Sequence, residues 1–184
     1  MRISNGAERD SAQVKVVFDP RLDIPLSDMQ ARNALIERLM AEVKVATEAA
    51  DRLRAAKKTI KAIDERIKER EDEQAKQVKE RGKALQDSLK ALSELLFPKK
   101  VQGIRTDPTV VSARLNRAFS YLRSSWEAPK ETEQLIVKQA ETALKEVVSK
   151  VNAFFAEQWA AYRQLVEQAG VSFFEPYEPL RVGE

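Results

Sequence analysis

The sequence predicts an all-α protein: an antiparallel up-down-up-down helical bundle with two long and two shorter helices, preceded by a short β remnant. Three observations carry this. Residues 27–67 run without Gly or Pro and place apolar or small side chains at alternating three- and four-residue steps, from Met29 through Ile36, Met40, Val43, Ala46, Ala50, Leu53 and Ile60 to Ile67. That is the pattern of a long amphipathic helix with a seam for partners. Residues 130–169 repeat it at similar length. Charged residues make up 33% of the chain and Gly numbers only five, as suits long solvent-facing helices. A helix over 27–67 would run roughly 60 Å and cannot bury its stripe alone, so the chain must supply its partners.

Composition narrows the function classes. At 184 residues with 43% hydrophobic content, the chain is long enough for one domain with a real core. The net charge of +3 comes from 32 basic and 29 acidic residues with interspersed signs, which argues against a nucleic-acid partner. Cys and His are both absent. This excludes Cys/His zinc sites and nucleophiles activated by a histidine base. No apolar run approaches the ~18 residues of a membrane span, and the first residues lack the basic-then-apolar signal pattern.

Residues 1–20 stand apart from the helical part. Val14, Val16 and Phe18 fall at the period of a strand, and Asn5-Gly6 is a two-residue hairpin signal that pairs residues 1–4 with 7–10. Residues 11–18 then have no mate, so the segment reads as remnant strands of a truncated preceding β-sandwich domain. A packed-back tail is the plainer alternative. Two prolines, Pro20 and Pro25, stiffen the link. Ser27 and Gln30 have the spacing of a capping box and open the first helix.

The charged stretch 66–77 predicts a turn near residues 70–74. The second helix follows to Leu96, with the stripe Val78, Gly82, Leu85, Leu89, Leu92 and Leu96. Gly82 in that stripe is either a close-approach point or a weak spot. Pro98 ends the helix. Asp107-Pro108 predicts an N-cap and first helical residue for a short third helix to Ser124. The fourth helix, over 130–169, carries Val137, Ala140, Leu144, Val147, Val151, Phe154, Ala161 and Leu165, with Gly170 as its C-cap. Its length matches the first helix, which predicts that the two lie antiparallel. The domain reading is therefore 1–20, a bundle over 26–170 and an extended tail over 171–184.

Three phrases carry a family resemblance. VKVVFDPRLDIPLSDMQARNALIERL (14–39) resembles a junction where a β-sandwich strand ends in a V-x-x-DPR phrase and enters a long helix. DPTVVSARLNRAFSYL (107–122), with the triplet Arg114, Leu115 and Asn116, and AAYRQLVEQAGV (160–171) resemble later phrases of the same proteins. Together they resemble the C-terminal helical region of bacterial sortilin-like, BNR-repeat propeller proteins, often described as glycosyl-hydrolase-like. The chain departs from that pattern at Tyr162-Arg163, where the family phrase has Phe-Asn, and in its aromatic C-terminal extension. The resemblance implies an exported parent whose β-propeller and β-sandwich precede this region and are its partners. It carries no catalytic residue onto this chain.

Residue chemistry by itself reads as a soluble helical bundle and no more, and a functional expectation comes only through the resemblance. Glu69, Glu71, Asp72 and Glu73 alternate with Arg66, Lys68, Arg70 and Lys76, which reads as a solvated helix end. Arg52, Arg54, Lys57, Lys58 and Lys61 form the most positive run, but Asp51, Asp64 and Glu65 dilute it. Lys57 falls in the seam register. Phe154, Phe155, Trp159 and Tyr162 have helical spacing and read as packing residues. Trp126 either caps the bundle end or stays exposed for a partner. Phe173, Phe174 and Tyr177 lie outside the helical repeat and are candidates for contact with another domain or for folding back. The expected function is a non-catalytic structural or protein-interaction module of the exported parent, with no cofactor or metal. The alternative is a free-standing coiled-coil adaptor that self-associates.

Overall fold

The computed structural model describes residues 2–15, 17, 19, 21, 23–99 and 107–172. The protein is an all-α bundle with a β-hairpin at its N-terminal end. The hairpin pairs β1 (Arg2–Asn5) with β2 (Glu8–Ser11), antiparallel, Asn5 facing Glu8 and Arg2 facing Ser11. Its two-residue loop is Gly6-Ala7, one residue later than expected. Gly6 has φ +60°, and no non-glycine residue among those described takes a positive φ. That combination selects a turn with glycine at its first central position over the Asn-Gly type. Beyond Ser11, residues 12–15 and 17 form no strand; Val16 and Phe18 of the expected strand lie outside the described residues.

Helix α1 spans Leu26–Arg66. It begins one residue before Ser27, because Pro25 is the N-cap and its carbonyl accepts from the Asp28 and Met29 amides at 3.1 and 3.4 Å. Ser27 Oγ donates to Asp28 Oδ1 instead, so the expected capping box does not form. The buried seam is a strict seven-residue repeat: Arg32, Leu39, Ala46, Leu53, Ile60 and Ile67. Ala49, Ala56 and Ile63 run beside it, three residues on, as in a heptad seam. This register turns Met40 and Val43 outward, 60% and 38% exposed, and leaves Lys57 on the solvent face.

After a turn over 67–72, α2 (Glu73–Leu96) starts on Asp72, whose Oδ1 accepts the Ala75 amide at 3.0 Å. It buries Ala75, Val78, Gly82, Leu85, Leu89 and Leu96. Helix α3 (Val111–Arg123) begins three residues after Pro108. Asp107 Oδ1 takes the Thr109 amide and hydroxyl, at 2.8 and 2.6 Å, in a local turn instead of capping the helix. Helix α4 (Glu131–Phe154) continues through a π-turn (Phe155–Trp159) into α5 (Ala160–Gln168). Gly170, at φ +61°, closes α5. The Gly170 amide donates to Glu167 O, and the Val171 amide to Val166 O, the paired bonds of a Schellman end.

The helix directions differ from the expected alternation. Arg38 pairs with Glu141 near one end of α1, and Arg66 Nε donates to Ser172 O at the other, 2.7 Å. The two long helices, α1 and α4–α5, therefore run in the same direction. Gly82 lies against Ile60 and Tyr162, and Arg32 reaches Leu122 O, so α2 and α3 both run back along them, one after the other. The reason is length. A 24-residue α2 covers about 36 Å of a helix roughly 60 Å long. The uncovered N-terminal half of α1 needs a second return helix, and the 13-residue α3 supplies it. The bundle is three helices thick along its length.

The π-turn corrects a second register. Val137, Ala140, Leu144, Val147, Val151 and Phe154 are buried as expected, but the next buried residues are Tyr162 and Ala169, not Ala161. Eight residues separate Phe154 from Tyr162 where the seam repeat needs seven. The wider turn absorbs the extra one.

Two predictions follow from this packing. Deletion of Glu157, an exposed π-turn residue, should turn the segment into regular α-helix and leave Tyr162 in the seam. The melting temperature should shift by no more than about 4 °C, the equivalent of roughly 1 kcal/mol for a chain this size; deletion of the equally exposed Glu146 should unfold the protein. Leu144→Asp should cost more than about 3 kcal/mol by burying an unpaired charge, measured by urea denaturation against Lys145→Asp as the exposed control.

Candidate functional site

The two ends of the bundle hold its most specific polar contacts. At the α1 N-terminal end, Arg32 occupies the first position of the seam and is buried. Its Nε donates to the Leu122 carbonyl at 2.7 Å and its Nη1 to Asn33 Oδ1 at 3.2 Å. Leu122 lies in the last turn of α3, where carbonyls lack intrahelical partners and a cation is favourable. The guanidinium lies over the Trp126 ring, 4.8 Å from its centroid, a cation–π contact. Trp126 is held by this contact on one side and is still 53% exposed. It both closes the bundle end and presents indole surface. The stripe read from the sequence skips Arg32; its place seven residues before Leu39 is the signal that marks it.

Leu26 begins α1 and Leu135 lies in the second turn of α4, both exposed; Val14 and Val17, before the first helix, are exposed as well. Residues 4–15 are solvent-exposed throughout, and β1 and β2 pair only with one another among the described residues.

At the opposite end, basic side chains satisfy helix-terminal carbonyls. Arg70 Nη1 donates to Ala169 O at 2.9 Å, and Lys79 Nζ donates to Lys68 O and Arg70 O, both at 3.0 Å. Arg70 Nε also meets Asp72 Oδ2 at 2.9 Å. The Arg70 guanidinium first, then the Ala75 amide, lower the Asp72 carboxyl to about 2. Asp72 is thus the cap of α2. Glu69, Glu71 and Glu73 stay exposed beside it. No group of three metal-ligating side chains occurs among the described residues.

Between the ends, α1 and α3 border an open groove of about 810 Å³ lined by Met40, Val43, Asn116, Phe119 and Arg123. The outward turn of Met40 and Val43 makes it partly apolar. Phe154, Phe155, Trp159 and Tyr162 form a chain of ring contacts through the π-turn, with centroids 5.3 to 6.0 Å apart. Tyr162 is fully buried, and its hydroxyl is pushed up to about 12, first by burial and then by the Asp64 charge. Of the residues singled out for contact, the structure places Trp126 on the surface; Phe173, Phe174 and Tyr177 lie outside the described residues. No described helix is long and apolar enough to cross a membrane.

Comparison with protein-family models, with curated proteins and with solved structures gives no match.

Arg32→Met, which keeps the buried stem but removes the donors, should lower stability by about 1.5–3 kcal/mol, the range for a lost bond to a charged group. In a Trp159→Phe background, where Trp126 is the remaining indole, the same change should shift its fluorescence to the red. An unchanged emission maximum would separate Arg32 from Trp126.

Proposed function

We propose that this chain is a non-catalytic helical module with a structural or protein-interaction role in a larger, exported sortilin-like, BNR-repeat propeller protein, and that it docks through its Trp126 end. The observation that supports this reading is Trp126, held at the bundle end by Arg32 and still 53% exposed, with exposed Leu26 opening α1 and exposed Leu135 in the second turn of α4. Exposed apolar surface at one end is a mark of contact sites. A two-stranded hairpin is marginal in water by itself, and its open edges suit incorporation into a larger sheet. The phrases at 14–39, 107–122 and 160–171 support the family part of the reading. The β-sandwich and β-propeller of such a parent are the proposed partners.

The test uses Trp126 as reporter in the Trp159→Phe background. Its emission should move to the blue, and acrylamide quenching should fall, when the chain is extended by the residues encoded immediately upstream in its gene. Identical emission and quenching in both lengths would overturn docking at this end. An upstream reading frame without propeller repeats would overturn the family assignment. Self-association is the rival role, and the Met40–Val43–Phe119 groove is the surface that favours it. Sedimentation as a monomer at micromolar concentration would remove it.

A further inference from the structure

Three helices meet at Gly82, and two buried oxygens converge on its bare face. Tyr162 Oη and Asp64 Oδ1 are both inaccessible, and neither has a hydrogen-bond partner among the described protein groups. A Cβ placed on Gly82 would lie 3.2 Å from Tyr162 Oη, 3.3 Å from Ile60 Cγ2 and 3.4 Å from Asp64 Oδ1. The two oxygens, from α5 and α1, thus border one point on α2, and no hydrogen bond joins them.

Neighbouring polar groups are turned elsewhere. Gln86 Nε2 donates to the other carboxylate oxygen, Asp64 Oδ2, at 3.3 Å. Lys79 Nζ is engaged on the carbonyls of Lys68 and Arg70. Tyr162 is held in place from behind, by its ring contact with Trp159 and by the π-turn that brings it to the seam. A tyrosine in a helical core normally finds a partner for its hydroxyl, and two convergent unpaired oxygens form the setting in which internal waters are bound.

We propose that the bare face of Gly82 is the floor of an internal hydration site, where one water accepts the Tyr162 hydroxyl proton and donates to Asp64 Oδ1. The bridge ties α5 to α1 across α2 and gives Gly82 its role: any side chain there would occupy the water's approach. The site is independent of what the Trp126 end contacts.

The test is a crystal structure of the chain at a resolution that shows ordered solvent, joined to water relaxation dispersion, which counts long-lived internal waters in solution. A water within about 2.6–3.2 Å of both oxygens is expected. The wild-type chain should hold one more long-lived water than Tyr162→Phe, which keeps the ring and folds, and one more than Gly82→Ala. A direct Tyr162–Asp64 hydrogen bond in the crystal would overturn the proposal. So would equal water counts in the wild type and Tyr162→Phe, whether or not Gly82→Ala folds.

Discussion

The seven-residue seam of α1 is the constraint on which the structure depends. Arg32, Leu39, Ala46, Leu53, Ile60 and Ile67 line one edge of a helix roughly 60 Å long. Helices α2, α3 and α4 all pack on α1. A strict heptad keeps one face toward its partners over many turns, so a single register error along α1 would be carried through the whole bundle. Alanines at 46, 49, 50 and 56 line the buried middle of the helix.

The other elements adjust to that seam. The return path is divided between α2 and α3, because neither alone spans it. The outgoing path of α4–α5 carries one residue too many between Phe154 and Tyr162, and a π-turn takes it up. The wider turn costs some hydrogen-bond regularity locally and preserves packing on both sides. Both divisions have chemical consequences. The junction of α3 and α4 places Trp126 beneath Arg32 at one end, and the π-turn delivers Tyr162 to Gly82 in the opposite half.

The two ends of the rod are chemically unlike. The far end is closed by Arg66, Arg70 and Lys79 on backbone carbonyls, which ties the α1–α2 turn to the end of α5. The near end exposes Leu26, Trp126 and Leu135.

The sequence by itself determined the all-α class, the presence of the four helices, the α1–α2 turn and the stops at Pro98 and Gly170. These depend on local periodicity and on residues with restricted backbones, which act within a few positions of themselves. Tertiary structure decided the rest. Met40 and Leu39 are equally apolar, and only partner helices choose between their two adjacent faces. The parallel course of α1 and α4–α5 depends on how short helices tile a long one, a sum over distant segments; the length of α2 set against that of α1 was the legible clue. Trp126 could be singled out from its composition and place, but its partner Arg32 lies 94 residues earlier. Of the Asp64–Gly82–Tyr162 meeting only Gly82 was signalled, as a gap in the α2 stripe, because the meeting forms only where a register shift in one helix meets a missing side chain in another.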